Sequence, residues 1–266
     1  MYDLAIEQIL FMDIETVPLY KGLEEIPTLL REYWESRYEK KRPESLSSEE
    51  YFVEKAGIHA LYSRVACISL GYFSTRNDKT EWRQYTFADL DEARLLQSFA
   101  DRWNSFKSYA ADLRRFLPEA RADYGVCGHN IASFDLPFLG RRFLCTGVSL
   151  PDFWRLSQWQ QPWSLKSPTV IDTMNLWSFT SREQTYIPLE ILAHALGINF
   201  RKTLSHLDIR NAFYEWERTN DESFFEPVKE YCAKDVRTVA EIYIHMQVPA
   251  EKKEPYLRAL QGYESK

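Results

Sequence analysis

Short apolar runs bounded by turn residues mark three buried strands along this chain. The first covers residues 9–14 and is followed by Pro18, which favours a turn. Residues 124–130 and residues 170–173 each contain a short apolar stretch that is followed by polar residues. Runs of this length are typical of strands inside a sheet, because a buried helix usually needs ten or more residues.

Two further segments predict a β-hairpin. Residues 64–73 and 81–87 are rich in β-branched and aromatic side chains, which favour strands. Residues 74–78 lie between them and are mostly types that favour turns. We therefore expect an antiparallel strand pair joined by a short loop.

Helices are predicted where apolar residues recur every three or four positions. One such segment begins after Asp89, and another covers residues 135–146 and ends before Gly147. Residues 188–196 begin with a proline and are followed by a glycine, which are typical helix start and stop signals. The last long helix is expected at about residues 224–246.

The order of these elements predicts an α/β fold. A strand, a strand pair and then strands that alternate with helices fit a mixed sheet flanked by helices. Residues 31–55 interrupt this order, because they combine dense charges of both signs with aromatic residues at helical spacing. We interpret about residues 19–63 as a partly helical, largely solvated insertion after the first strand. The whole of residues 1–266 is expected to form a single domain.

Composition limits the classes of partner. The chain has 266 residues, of which 45% are hydrophobic and 15% aromatic, enough for a substantial core. Its net charge of −6 argues against a protein that coats duplex nucleic acid through a basic surface. A nucleic-acid active site is still compatible with this charge, because bound divalent cations reverse the local charge of a carboxylate cluster.

Cysteines and apolar segments bear on the cellular compartment. Cys67, Cys127, Cys145 and Cys232 are scattered without metal-binding spacing, so we expect core thiols in a reducing compartment. The first residues have no basic flank and no long apolar stretch, and apolar runs elsewhere have the length of strands. We therefore expect a soluble, cytoplasmic protein.

Four acids and one tyrosine are the candidate catalytic residues. Asp13 and Glu15 stand two apart at the end of a predicted strand, where they share one face. Asp135 begins a predicted helix, and Tyr231 precedes Asp235 by about one helical turn. Carboxylates on rigid elements suit hard divalent cations, and two such cations can catalyse phosphodiester hydrolysis. A phenol beside them can orient the attacking water or help to deprotonate it.

Each of these residues also has an ordinary structural explanation. Two acids at a strand end are usually surface residues, although a carboxylate at the end of a buried strand is costly unless it is paired or metal-bound. Asp135 by itself is a helix N-terminal acid, which the helix dipole favours. The spacing of Tyr231 and Asp235 recurs at Tyr85 and Asp89, where a predicted strand meets a helix. Spacing alone therefore leaves both explanations open.

Three segments resemble the motifs of the DEDD superfamily of 3′–5′ exonucleases. They are residues 11–16 (FMDIET), 128–139 (GHNIASFDLPFL) and 231–236 (YCAKDV). The third is similar to the tyrosine-type subfamily (DEDDy), since the position of histidine in the sister subfamily is Glu230 here. The chain looks like the stand-alone predicted exonucleases related to the exonuclease domain of family B DNA polymerases. Four intermediate blocks carry the same resemblance: residues 66–73, 162–163, 171–177 and 192–198.

This resemblance implies a ribonuclease H-like fold and a two-metal mechanism. It implies that Asp13, Glu15, Asp135 and Asp235 hold two divalent cations, Mg²⁺ or Mn²⁺, and that Tyr231 positions water. The implied reaction is hydrolysis at single-stranded nucleic-acid 3′ ends, of DNA rather than RNA, with release of nucleoside 5′-monophosphates. Two alternatives stay open. One is a module that binds nucleic-acid ends or a protein partner without turnover, and the other is a phosphodiesterase of this fold for RNA or small nucleotides.

Several further residues are candidates for substrate contact. Asn130 and Phe134 are expected to meet the terminal nucleotide by a hydrogen bond and by stacking, or else to stabilise a turn. Asp172 in a predicted strand either supports the site and its substrate or is a satisfied structural residue. Five basic residues are candidates for phosphate contact, with ordinary solvation as the alternative: Arg141, Arg142, Lys166, Arg201 and Lys202.

Overall fold

A five-stranded sheet organises the part of the chain that the structure describes. The structure is a computed structural model and describes residues 4–113, 124–155, 169–179 and 186–263. The strands are β1 (Ile9–Pro18), β2 (Ser63–Arg76), β3 (Lys79–Ala88), β4 (Gly125–Gly128) and β5 (Thr169–Asp172). They lie in the order β3-β2-β1-β4-β5. β1 is antiparallel to β2 and parallel to β4, while β3 pairs antiparallel with β2 and β5 pairs parallel with β4.

Helices cover both faces of this sheet. Those of the described residues are α1 (Thr28–Arg37), α2 (Ser48–Lys55), α3 (Glu92–Asp112), α4 (Asp135–Thr146), α5 (Asp152–Arg155), α6 (Thr173–Ser178), α7 (Leu189–Ala195), α8 (His206–Thr219), α9 (Glu226–Gln247) and α10 (Glu254–Gln261). Successive side chains of β1 point to opposite faces. Leu10 and Met12 pack with α3 and α4, whereas Ile9 and Phe11 pack with α7, α9 and α10. The predicted mixed α/β sheet flanked by helices is therefore confirmed.

The hairpin of β2 and β3 is longer than the sequence pattern indicates. The strands meet at a two-residue turn, Asn77 and Asp78, with φ of 49° and 58°. Positive φ at both positions is the type I′ geometry, whose twist matches that of the flanking strands. Most of the predicted loop at residues 74–78 belongs to β2, and the hydroxyl oxygens of Thr75 and Thr80 lie 3.0 Å apart across the strands. Cross-strand pairing has overridden the turn preferences of single residues.

Helices α8 and α10 lie outside the elements predicted from the sequence. α8 carries Ile209, Phe213 and Trp216 at helical spacing, and all three are buried. Its start has a reciprocal capping box, in which the Ser205 amide donates to Asp208 Oδ2 and the Asp208 amide donates to Ser205 Oγ. Both signals are readable in the sequence, so α8 was predictable in principle.

The residues between β1 and β2 have an aromatic core of their own. α1 and α2 pack around Trp34 and Phe52, which are fully buried. A buried ion pair fastens the end of this segment to the sheet layers. Arg142 on α4 contacts both carboxylate oxygens of Glu92 and donates to the Ala60 carbonyl at 2.8 Å. The partly helical insertion is confirmed, while its membership of one domain with the sheet stays a prediction.

The four cysteines are free thiols, and three of them are buried. Cys67, Cys127 and Cys232 are buried, as predicted. The prediction is wrong for Cys145, which lies on the exposed side of α4. Throughout the described ranges, no helix combines the length and the apolar character needed to cross a membrane.

Gly71 on β2 provides a test of how tightly the sheet is packed. A β-carbon at this position would come within 2.0 Å of Trp82 Cζ2 on the neighbouring strand. We expect Gly71→Ala to lower the free energy of unfolding by about 1–3 kcal/mol, because the tryptophan has to move within a filled core. Urea unfolding measures this change. Gly57→Ala is the matched control, since no described atom lies within 4 Å of its added carbon, and equal losses in the two variants would contradict the packing explanation.

Candidate active site

The acids of β1 lie on the face of the sheet that α9 covers. Asp13 and Glu15 flank Ile14, whose side chain belongs to the core on the opposite face. On the side of the acids, Val17 packs against residues of α8 and α9. The pairing of β1 with β2 shifts after Glu15, and such an irregularity bends a strand locally. Both carboxylates are thus held on a central strand while they stay partly exposed.

Helix α9 brings a third acid and the tyrosine to the same place. Tyr231 and Asp235 lie about one helical turn apart, and each is only 4% exposed. Val236 of the same helix packs into the core and fixes the rotation of the helix. One oxygen from each of Asp13, Glu15 and Asp235 lies within 4.8 Å of the other two. A single cation can contact all three side chains at this spacing.

Asp135 reaches the site from the helix that follows the neighbouring strand. It is the first residue of α4, which follows β4, and β4 runs parallel to β1. The Ile14 amide donates a hydrogen bond to Asp135 Oδ1 at 3.2 Å. Asp135 is 4% exposed, and its charge helps to raise the pKa of Asp13, after the larger effect of burial. It lies beside the group of three carboxylates rather than within it.

The turn between β4 and α4 presents Asn130 and Phe134 to a cavity over the acids. Asn130 has a φ of 61°, a left-handed conformation that asparagine tolerates better than most residues. Asp172 accepts hydrogen bonds from the amides of Asn130 at 3.0 Å and Ala132 at 3.2 Å, and from the Met174 amide that begins α6. Asp172 therefore holds the turn from behind, and it is not among the residues that line the cavity.

The cavity over the acids has a volume of about 440 Å³. This volume suits a small ligand such as a nucleotide, since small-molecule sites span about 300–1,000 Å³. Lys202 lines the cavity, and its charge acts on Asp13, Glu15 and Asp235. Arg210 also lines it, and this contact was missed because α8 was not predicted.

The other basic candidates lie elsewhere. Arg142 is buried in its ion pair and cannot reach a substrate. Arg141 and Arg201 are described but do not line this cavity. Lys166 and the block at residues 162–163 lie outside the described residues. Of the four predicted phosphate contacts that the structure describes, Lys202 is therefore the one brought to the acids.

A family model matches more than half of the chain. The model is RNase_H_2, described as RNase H superfamily, and it covers residues 51–247. The chain belongs to the RNase H superfamily. The matched span contains Asp135, Tyr231 and Asp235, whereas Asp13 and Glu15 on β1 precede it. No match was found among curated proteins.

Membership of the RNase H superfamily indicates a nuclease-type activity, and nucleases of this kind generally use divalent metals. The carboxylates of Asp13, Glu15 and Asp235 form a compatible group, because hard cations such as Mg²⁺ and Mn²⁺ prefer oxygen ligands. Asp235 Oδ1 is buried and has no hydrogen-bond partner among the described residues. A cation would satisfy this oxygen, which is otherwise costly to bury. The residues present therefore fit a divalent metal.

Burial, together with neighbouring negative charge, raises the pKa values of the carboxylates in this RNase H-like site. Burial raises the pKa of Asp13 and Glu15 well above the usual range, and neighbouring acids raise them further. Burial likewise raises the pKa of Asp135 to about 7 and that of Asp235 to about 8. The charge of Lys202 opposes the shift of the pKa at Asp13, Glu15 and Asp235. Without a cation the acids retain protons near neutral pH, and binding of a cation releases those protons.

The Cys232 thiol also contacts the site. Its sulfur lies 3.6 Å from both the backbone oxygen and Oδ2 of Asp13, to which it donates weak hydrogen bonds. Burial raises the pKa of Cys232 well above its usual range, so the group stays a neutral thiol. It supports the Asp13 carboxylate from the protein side. Nothing in its position after Tyr231 distinguishes it from an ordinary core cysteine, so the sequence did not reveal this contact.

Asp235→Asn tests the energetic cost of crowding. The pKa of Asp235 in the folded protein, about 8, lies above the ordinary value of 3.8. Stability is therefore lost as the pH rises from about 4 through about 8 and this carboxylate ionises. We expect the substitution to raise the free energy of unfolding of the metal-free protein by about 2 kcal/mol at a pH of about 8, and to change it little at a pH of about 5. Thermal unfolding with a chelator across this range measures the effect.

Asp101→Asn is the control for this experiment, because it removes an exposed aspartate on α3 far from the site in sequence. Its unfolding should follow that of the parent at both pH values. If Asp235→Asn is less stable than the parent at the higher pH, repulsion and burial do not dominate the energetics of Asp235.

Proposed function

We propose that this protein is a metal-dependent 3′–5′ exonuclease of the tyrosine type that acts on single-stranded nucleic-acid ends. The observation that carries the proposal is the convergence of Asp13, Glu15 and Asp235, with Asp135 and Tyr231 beside them. Membership of the RNase H superfamily supports the nuclease part of the proposal. The 3′–5′ direction, the preference for DNA and the release of nucleoside 5′-monophosphates rest on the resemblance of the three motifs.

The four acids are proposed to hold two divalent cations, Mg²⁺ or Mn²⁺. When bound, such cations stabilise negative charge on the scissile phosphate and make water more acidic. Asp13, Glu15 and Asp235 offer oxygens that are close to one another, and Asp135 lies against β1 beside them. Because these ligands sit on a strand and two packed helices, little reorganisation is needed to bind metal.

Tyr231 is proposed to position the attacking water. Burial and the charges of Asp235, Glu15 and Asp13 raise the pKa of its phenol, so the hydroxyl stays protonated. A protonated phenol donates a hydrogen bond that can orient a water, but it is a poor base. We infer that Tyr231 orients the water and leaves removal of its proton to another group.

We propose that positively charged side chains at the cavity contact the phosphates of the nucleic-acid strand. Lys202 and Arg210 line the same cavity as the acids. Contacts of this kind position a nucleic acid without reading its sequence. Asn130 and Phe134 lie in the same lining, and we propose that they contact a terminal nucleotide by a hydrogen bond and by stacking. Asp172 supports them through the turn that it holds.

A module that binds ends without turnover is the weaker alternative. Binding of an anionic strand gains nothing from a group of close carboxylates that repel one another. A phosphodiesterase for RNA or for small nucleotides would use the same acids. Parallel assays on DNA, RNA and dinucleotides distinguish that enzyme from the proposed one.

Degradation of a 5′-labelled single-stranded DNA in Mn²⁺ tests polarity and site together. The parent should give a ladder that shortens from the 3′ end, and a 3′-blocked strand should persist. Asp13→Ala should lower the rate by roughly 10²-fold or more, because it removes a proposed cation ligand. Asp101→Ala, which removes an exposed acid from α3, should give the ladder of the parent. Ladders of equal intensity from Asp13→Ala and the parent would refute the assignment of the site.

Tyr231→Phe separates water positioning from metal binding. Loss of the hydroxyl should lower kcat roughly 10²-fold and leave the Mn²⁺ isotherm unchanged, because the ring still packs. Asp135→Asn should instead weaken Mn²⁺ binding in calorimetry. Tyr243→Phe on the same helix is the control and should retain the turnover of the parent. Unchanged turnover in Tyr231→Phe would remove its proposed role, and a parent-like isotherm for Asp135→Asn would remove that residue from the ligands.

A further inference from the structure

The insertion between β1 and β2 reaches the cavity that contains the acids. The end of α2 and the following 3₁₀ turn, Ala56–Ile58, contribute Lys55, Gly57 and Ile58 to the lining of the cavity. The same lining includes Asp13. A segment whose charges are typical of a solvated surface therefore forms one side of the proposed active site.

Hydrogen bonds fix this turn to the strand that carries the acids. Thr16 directly follows Glu15 and donates from Oγ1 to the Gly57 carbonyl at 2.7 Å. Ser63 at the start of β2 donates to the Ala56 carbonyl, and Ala56 is fully buried. The turn is thus tied to β1 on one side and to β2 on the other. Its position relative to Glu15 is set by the sheet rather than by the insertion.

Ile58 projects from this fixed turn with an exposed apolar side chain. It is 56% exposed, although isoleucine is among the residues most often buried. Its neighbours in the lining include the charged Glu54 and Lys55. Lys55 pairs with Glu54, with 2.7 Å between Nζ and Oε1, and His206 at the start of α8 lines the same cavity. A rigidly held apolar group in a charged cleft is suited to contact an apolar part of a ligand.

We propose that Ile58 is a substrate-selecting residue that packs against the base of an unpaired nucleotide near the 3′ end. Every base has an apolar face, and apolar side chains can lie between bases and separate them. The cavity of about 440 Å³ lies in the size range of small-molecule sites, so we expect it to receive the end of a single strand. This inference rests on the proposed function and gives the insertion a role in it, the preference for unpaired ends.

Strand selectivity in Ile58→Ala tests the proposal. Kinetics in Mn²⁺ are compared for a 5′-labelled single strand and for the same strand annealed to a complement that ends flush with its 3′ end. Ile58→Ala should raise KM for the single strand about tenfold with a smaller change in kcat, while KM for the paired end stays near that of the parent. Ile191→Ala is the matched control, because Ile191 is 53% exposed and does not line this cavity. It should keep the preference of the parent.

Gly57→Leu tests the role of the Ala56–Ile58 turn by placing a larger side chain at the edge of the cavity. No described atom lies within 4 Å of a β-carbon at Gly57, so the side chain starts in open space at the cavity, and we expect the fold to accept it. KM for the single strand should rise about tenfold or more, while the thermal midpoint and Mn²⁺ affinity stay those of the parent. A change in folding alone would instead move the midpoint and the metal affinity.

These experiments distinguish failure of the role proposed for Ile58 from failure of the proposed nuclease activity. A parent that degrades single strands, combined with an Ile58→Ala variant whose strand preference stays within about twofold of the parent, would overturn the role of Ile58. A parent-like KM in Gly57→Leu would overturn the role of the turn as a wall. A parent that cleaves neither DNA nor RNA would overturn the proposed function itself, and the role of Ile58 with it.

Discussion

The hydrogen bond from the Ile14 amide to Asp135 Oδ1 joins residues that are 121 positions apart in the chain. It depends on the parallel pairing of β1 with β4, which places the start of α4 beside the acids of β1. A buried amide needs an acceptor and a buried carboxylate needs donors, so each group satisfies the other. Without this pairing, Asp135 would be an ordinary acid at a helix start, and the cavity would lose one of its walls.

The pairing of β1 with β4 also brings negative charges close together, and the burial of apolar side chains offsets the free-energy cost. Ionised carboxylates that are buried and close together destabilise the folded protein. Leu10 and Met12 on one face of β1, and Ile9 and Phe11 on the other, belong to two layers of buried apolar side chains. Each large side chain of this kind contributes about 1.5–3 kcal/mol through burial. The strand that holds Asp13 and its neighbouring acid is thus supported by apolar packing on both of its faces.

Local signals in the sequence were enough to locate the elements that carry the acids. Helix α4 was predicted at residues 135–146 and has those bounds, because Gly147 adopts a φ of 73° that ends the helix. Long-range partners had no such signal. Arg142 resembled a phosphate contact because nothing local identifies Glu92, 50 residues earlier, as its partner. The sequence around Ile58 did not indicate that this residue lines a cavity, because its position is set by the strands on either side of the insertion.

The central position of β1 also determines when the site forms during synthesis. β1 is synthesised before its neighbours, which begin at Ser63 and Gly125, and before α9, which begins at Glu226. Contacts between such distant segments form late, because closing long loops costs conformational entropy. The apolar strand β1 therefore stays unpaired on one side until β4 has left the ribosome. The full group of carboxylates assembles only after α9 has been made, so a nascent chain has most of its sheet before Asp235 joins Asp13 and Glu15.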